Sequence, residues 1–338
     1  MSLQNTTYPL VSVVVPAYNA ETRINYSLDS IIAQDYPNIE IIVVNDASTD
    51  ATEDIARRIL EGCGRPFNLI AHKKNSGETA SRNTGMDAAK GEFVWFIDAD
   101  DMAENNLVST LYNLIEKYKC DVSLCALKDR FEDGRPDVLH PIKMEGPNLR
   151  KGEDFLWPRV FNKIDPHVCG MLFRKQFLLE TGLRFHEGCT AGGDVEFQLK
   201  ALCRARQVAF TSDCLYIYMH HAAMGSIRDN NSKEKHIRRY SDNTGAHQRT
   251  AQYLSEHAPS EKIKSLAEHY LKPQALIRQL TLCAKTGDRA KYNAILSDSA
   301  TRKTLSTSKE FISQKPEIYG KALLLLHFPD LYYRTRNK

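Results

Sequence analysis

The chain has 338 residues, 42% of them hydrophobic and 26% charged, with a formal net charge of +3 at pH 7. That composition describes a globular protein with enough apolar residues for a large core, in one large domain or two. No run approaches 18 consecutive apolar residues and the first seven residues are polar, so neither a membrane-spanning helix nor a signal peptide is expected. Eight cysteines occur without a Cys-x-x-Cys pair, which argues against a zinc site or a disulfide framework and for free thiols in a reducing cytoplasm. Residues 226–338 hold 21 Lys/Arg against 11 Asp/Glu, leaving 24 against 31 for the rest. An acidic front and a basic tail point to an anionic partner for the tail, unless its lysines only keep helix faces solvated.

In chain order, Val11 to Val15 is nearly all β-branched and reads as a buried strand that ends in Pro16-Ala17-Tyr18-Asn19. Ile24, Leu28, Ile31 and Ile32 recur at helical spacing until Tyr36-Pro37-Asn38. Ile39 to Val44 is a second strand, closed by Asn45-Asp46-Ala47-Ser48-Thr49-Asp50. A helix through Ile55, Ile59 and Leu60 follows, with Ser48, Thr49 or Asp50 as its cap. Phe67 to Ala71 is a third strand, and Asn75-Ser76-Gly77-Glu78 leads into a helix that stops at Lys90-Gly91. The alternation predicts a right-handed, doubly wound parallel sheet.

A fourth strand, Phe93 to Ile97, ends in Asp98-Ala99-Asp100-Asp101. Ligands of open α/β sheets bind at the carboxyl ends of strands, and carboxylates two apart on an extended end point the same way. A divalent metal carrying a diphosphate would reconcile Asp98 with Asp100, whereas a solvated turn capping the next helix would need no ligand. Neither Gly-x-Gly-x-x-Gly after the first strand nor Gly-x-x-x-x-Gly-Lys-Ser/Thr is present, so a phosphate here would need a metal.

Four stretches in order, residues 11–19, 43–50, 75–85 and 96–101, resemble family 2 nucleotide-sugar glycosyltransferases of the GT-A fold. The resemblance implies an α/β, Rossmann-like, mostly parallel sheet and an inverting transferase using a nucleotide diphosphate sugar, a UDP-sugar by default, with Mn²⁺ or Mg²⁺. It implies donor contacts from Pro16, Ala17, Tyr18, Asp46, Asn75, Gly77, Arg82, Asp98 and Ala99, and metal contacts from Asp98 and Asp100. From the residues alone, Asp46 can hold a ribose or cap a helix, and Arg82 can meet a diphosphate or pin a loop to an acidic neighbour.

Farther on, Leu107, Leu111, Leu114 and Ile115 mark a helix, residues 121–127 a strand, and 169–175 a strand leading into a helix to Thr181. Ala191-Gly192-Gly193-Asp194 opens another helix, where the family carries Gly-Glu-Asp. The match makes Asp194 the general base; Gly193 replaces the usual Glu, and Glu196, one turn on, is the candidate substitute. Helix capping is the plainer role for Asp194. Tyr216 to His221, then Ser226, resembles a segment where the family places a basic residue. His220 or His221 is thus a candidate for the diphosphate or the metal shell, and their alternation lets only one serve.

The expected organisation is a GT-A catalytic domain over 9–227, its nucleotide-sugar half 9–101 and acceptor half 102–227, followed by a basic helical region, 228–338. The tail shows helical segments near 263–266, 271–282 and 292–296 but no chemistry of its own. Its end, Tyr319 to Lys338, joins an apolar run to aromatic and basic residues, a composition that suits a membrane interface, docking on the catalytic domain, or pairing with a second subunit. A glycan or glycolipid acceptor follows from the resemblance, with a cytoplasmic protein lying peripherally on the inner face of the cell membrane. A sugar-nucleotide nucleotidyltransferase would want a Gly-rich, Arg-containing first loop. A nucleic-acid-binding protein using the tail would leave the strand-end carboxylates unexplained, so no nucleic acid is expected.

Overall fold

The structure, a computed structural model, describes residues 8–221 and 233–337. Its first strand, β1 (Val11–Ala17), is buried at every position, as a β-branched run covered on both faces should be. The chain then alternates through α1 (Ile24–Ile32), β2 (Ile39–Asn45), α2 (Thr52–Gly62), β3 (Phe67–Ala71), α3 (Glu78–Ala88) and β4 (Phe93–Phe96). These four strands pair in parallel in the order β3-β2-β1-β4, the doubly wound half expected. Close packing of α3 on β1 depends on Gly85, where a Cβ would come within 2.2 Å of Val14 Cγ1.

The second half makes the sheet mixed. After β5 (Met102–Ala103) and α4 (Leu107–Tyr118) come β6 (Val122–Phe131), β7 (Val138–His140), β8 (Leu149–Arg150) and α5 (Glu153–Val160). Then follow β9 (Met171–Arg174), α6 (Lys175–Thr181), α7 (Gly193–Arg204) and β10 (Val208–His220). Strand β9 is antiparallel to both β4 and β6, while β10 runs parallel to β6. The junction is locked by Trp95, wholly buried, whose Nε1 donates to Cys169 O at 2.7 Å.

One expectation needs correction at β4. The strand stops at Phe96, and Asp101 N bonds Asp98 O at 3.2 Å, so the acidic run is a turn and not an extended strand end. Asp98 and Asp100 face one cleft because the turn brings them round.

The basic tail is helical, as expected: α8 (Lys233–His257), α9 (Glu261–Leu266), a π-helical turn (Ala267–Leu271), α10 (Lys272–Thr286), α11 (Arg289–Ser297), α12 (Ser299–Thr307), α13 (Pro316–His327) and α14 (Pro329–Arg336). Ser260, Asp288 and Asp298 cap α9, α11 and α12, and prolines open α13 and α14. The apolar terminal segment docks within the tail itself: Tyr332 OH and Thr281 Oγ1 are 2.6 Å apart, and Tyr292 OH donates to Pro329 O at 2.8 Å. Leu324, Phe328 and Leu331 remain exposed there. Among the described residues no helix is long and apolar enough to cross a membrane. All eight cysteines are free thiols.

Candidate active site

Two loops at the carboxyl ends of β1 and β2 are zipped together. Asn19 N donates to Ser48 Oγ at 3.0 Å, Thr49 N to Asn19 Oδ1 at 2.9 Å, and Ala20 N to Thr52 Oγ1 at 2.7 Å. The zipper fixes Pro16, Ala17 and Tyr18 along one wall of a cleft of about 680 Å³. Asp46, at the end of β2, is almost wholly buried. Its Oδ1 accepts from Ser76 N at 2.9 Å and lies 2.7 Å from His72 Nδ1, while Oδ2 accepts from Gly77 N at 2.7 Å. It does not cap α2; Asp50 Oδ1 instead accepts from Thr52 N at 3.0 Å. Gly77 adopts φ +89, a left-handed conformation that lets the 75–77 turn wrap this carboxylate. Asn75, Gly77 and Asp46 all line the cleft.

Beneath the cleft sits Arg82. Its side chain has no solvent exposure, and it pairs with three carboxylates from separate stretches: Asp98 at 2.5 Å, Glu78 on its own helix, and Asp194 at the start of α7. Phe185 covers it with a ring centroid 5.2 Å from the guanidinium carbon. Of its two sequence-level roles, the one seen is pinning acidic neighbours, because a guanidinium enclosed this way does not open onto the cleft. Its neighbour Asn83 holds the Phe185 loop in place, accepting from Phe185 N at 3.0 Å and donating to Phe185 O at 2.9 Å.

The charges around Arg82 shift one another. Burial penalises the ionised form of Asp98, but Arg82 and His167 outweigh it and hold its carboxyl below the usual range. Burial and the Asp98 charge push Asp100 up instead. Arg82 pulls Glu78 down, yet lost hydration and the charges of Asp98, Asp194 and Asp100 leave its carboxyl raised, a shift tempered by solvent because half of the side chain is exposed. Asp101 turns away and is structural: it accepts from Tyr216 OH and, at 2.8 Å, from Met219 N, and burial raises its pKa.

Asp194 lines the cleft opposite the first-strand loop, its side chain 34% exposed, with Oδ1 bonded to Arg82. Gly192 is the N-cap of α7 and no side chain caps that end, so capping is not what Asp194 does. The departure at Gly193 has a steric cause, since a Cβ there would lie 2.7 Å from Thr79 Cγ2. Glu196 does not replace the missing carboxylate at the cleft. It is buried and bonded to Arg249 at 2.7 Å and Lys200 at 2.6 Å, tying α7 to α8.

Two carboxylates, Asp98 and Asp100, therefore face the cleft where a metal would sit. Among the described residues no cluster of three or more His, Cys, Asp or Glu could hold an ion. Mg²⁺ and Mn²⁺ commonly take one or two protein carboxylates and complete their shells from phosphate oxygens and water. The pair fits such an ion, and the raised Asp100, which has no ion-pair partner within 4 Å among the described residues, is where cationic charge is missing. Neither candidate histidine reaches that shell. His220 Nε2 lies 3.1 Å from Asp129 Oδ1 and its ring stacks on Phe131. His221 Nε2 bonds the backbone carbonyl of Asp100 at 2.9 Å, so it props the acidic turn from behind. Ser226 lies outside the described residues.

Other cleft residues escaped the sequence reading. His167, Tyr218, Arg23, Arg239 and Asn243 also line the cleft. The last two belong to α8, in the tail whose sequence shows no chemistry of its own. That helix also braces the loop before Asp194: Thr190 N donates to Asp242 Oδ2 at 3.0 Å, and a Cβ on Gly192 would lie 2.8 Å from Asn243 Oδ1. A signal was present, since Arg239, Asn243, Ala246, His247 and Thr250 share one helix face with the spacing of residues that meet a partner.

A parallel-then-mixed sheet with an acidic cleft at its strand ends is the GT-A architecture. The model of the family "Glycosyl transferase family 2" matches residues 12–181, and the chain belongs to that family. It is 44% identical over 114 residues to Glycosyltransferase GlyA of Streptococcus pneumoniae, covering 34% of this chain and 16% of that one. It is 31% identical over 222 residues to the uncharacterized glycosyltransferase EpsJ of Bacillus subtilis, covering 62% of this chain and 61% of that one. It is also 28% identical over 209 residues to TarS of Staphylococcus aureus, a poly(ribitol-phosphate) β-N-acetylglucosaminyltransferase, covering 61% of this chain and 35% of TarS. The crystal structure of TarS residues 1–349 with UDP-GlcNAc superposes at a TM-score of 0.64 and 22% identity, covering 97% of this chain and 89% of that one. The chain thus spans less than two thirds of each of these curated relatives, and the likeness to the TarS crystal structure extends through the helical region.

Proposed function

We propose that the protein transfers a sugar from a nucleotide diphosphate sugar to a hydroxyl of a polysaccharide or lipid-linked glycan, with inversion at the anomeric carbon. The observation that carries this reading is the cleft itself, where Pro16–Tyr18, Asp46, the Asp98–Asp100 turn and Asp194 converge from four separate stretches. The bound UDP-GlcNAc of TarS supports a UDP-sugar as donor. Asp46 and the loop after β1 would receive the nucleoside, and Asp98 and Asp100 would hold Mn²⁺ or Mg²⁺. That ion would supply neutralisation of the diphosphate as charge develops on it.

Asp194 is the base of the reaction. Arg82 fixes Oδ1 and leaves Oδ2 to take the proton of the acceptor hydroxyl. The acceptor oxygen then forms its bond to the anomeric carbon as the bond from that carbon to the diphosphate oxygen breaks, and the electron pair departs with the nucleotide. A carboxylate is a weak base toward a sugar hydroxyl, so orientation carries much of the acceleration.

The test is UDP release from UDP-GlcNAc and related donors by wild type and Asp194→Asn, with donor affinity measured in parallel. Turnover should fall by about 10²–10⁴-fold with donor affinity little changed. Wild-type turnover in the variant would remove Asp194 from the role.

A further inference from the structure

The helical region holds a concave surface that the transfer chemistry leaves unused, and it adjoins the cleft. Gly192 and Asn243 line both the cleft and a cavity of about 270 Å³ between α7, α8 and α10. That cavity shares Gln274 and Arg278 with a second of about 500 Å³, which in turn shares Tyr240, Lys285 and Arg336 with a third of about 560 Å³ beside the start of α8.

The walls of this channel are cationic. Arg278, Lys285, Lys321, Arg336 and Lys233 line it, and Arg239 stands where it meets the cleft. Among the described residues none of these six has a carboxylate within 4 Å. The acidic groups on the walls are already engaged: Glu196 is buried against Arg249 and Lys200, and Glu317 lies 3.8 Å from Lys315. Elsewhere the protein pairs its guanidinium groups, as in Arg184 with Asp87 at 2.6 Å and Arg130 with Asp137 at 2.8 Å. Two channel cations are also held against rings, Lys285 over Tyr240 at 5.8 Å and Arg336 over Tyr332 at 5.5 Å. Unneutralised positive charge confined in a concave surface concentrates anions there.

We propose that this channel is the binding track for an acceptor chain bearing phosphodiester groups, which it leads into the cleft toward Asp194. The proposal rests on the transferase reading and names its acceptor class. A single phosphate would occupy one cavity, whereas three in succession fit a repeating anion. A bilayer surface would need the cations on a protruding face, and a nucleic acid would want exposed rings for stacking, but Tyr332 is buried and Tyr240 lies beneath Lys285.

The experiment measures binding of a synthetic ribitol-phosphate oligomer to the full chain by calorimetry. It is compared with an uncharged glucan oligomer, phosphatidylcholine–phosphatidylglycerol vesicles and a single-stranded oligodeoxynucleotide. Variants are Lys285→Glu/Arg336→Glu, both on exposed side chains, and Arg278→Gln in the neighbouring cavities, with circular dichroism to confirm folding. The expected result is salt-dependent binding of the oligomer by wild type, weakened about tenfold or more by the double charge reversal and less by Arg278→Gln, with UDP-GlcNAc affinity retained. Equal oligomer affinity in wild type and both variants overturns the proposal, as does tighter binding of vesicles or oligonucleotide than of the oligomer. Track-dependent oligomer binding by a wild type that ignores every nucleotide sugar would sink the transferase reading and leave the track standing.

Discussion

Around the cleft one buried guanidinium, Arg82, serves three carboxylates, whereas along α8, α10, α13 and α14 several cations have no carboxylate within reach among the described residues. The first arrangement sets one enclosed guanidinium against three partly exposed carboxylates and aims Asp98 and Asp194 into the cleft. The second leaves charge open to a ligand. Internally satisfied charge orients reacting groups, and unsatisfied charge recruits a partner. The two regions meet at α8, where Asp242, Asn243 and Arg249 brace the loop and helix that carry Asp194.

The comparison breaks most severely at Arg82. Arg82→Met removes a wholly buried guanidinium from among three partly exposed carboxylates. Solvent screens those carboxylates, so a denaturant melt should show a loss of about 3 kcal/mol, with sugar transfer falling below detection. Arg82→Lys keeps the charge but not the fork, and should regain stability more than turnover. A stable, active Arg82→Met would dissolve the contrast altogether.

Next comes the tie between the regions. Glu196→Ala removes the buried anion between Arg249 and Lys200 and should lower stability by about 3 kcal/mol. Faster hydrogen exchange confined to α7 and α8 would locate the loss; exchange spread evenly would argue against a tie.

A smaller effect belongs to the basic side. Burial, with the Arg278 charge beside it, holds His247 down at about 4 against an ordinary 6.5, and its Nδ1 bonds Asn243 O at 2.8 Å. The unfolded chain therefore binds the proton first, and stability present above pH 6.5 is lost as pH falls toward 4. The decrease should be on the order of 1–2 kcal/mol by pH 5. His247→Gln should flatten that slope in melts between pH 7 and 5. Least of all, Gly193→Ala should cost about 1 kcal/mol through its contact with Thr79, and Thr79→Ser, which removes the methyl group, should restore most of it.

The parallel half of the sheet was legible because each strand is a short apolar run punctuated by Pro, Asn or Asp, and local pattern alone settles such elements. The first-strand loop, the acidic run and Asp194 were singled out by short motifs and by their resemblance to the family, and all three line the cleft, although the acidic run is a turn where an extended strand end was expected. What the sequence concealed depends on distant partners. Asp101 looks like its neighbours until Tyr216 and Met219 claim it from 115 residues or more away. Arg82 faces inward only because Phe185 and Asp194 close over it. His220 and His221 looked available, but β10 carries one to Asp129 and the other behind the Asp100 carbonyl. The part played by α8 was hidden by its solvated composition, since only tertiary packing shows which face of a polar helix meets the cleft.

The central claim, that the strand-end cleft is a metal-dependent nucleotide site, is tested most directly by calorimetric titration with UDP, GDP and dTDP, each with and without Mn²⁺, on wild type and Asp100→Ala. The account predicts that one nucleotide binds, that Mn²⁺ strengthens it, and that the variant loses the Mn²⁺ dependence. Binding of no nucleotide under either condition, or a metal effect unchanged in Asp100→Ala, would contradict it.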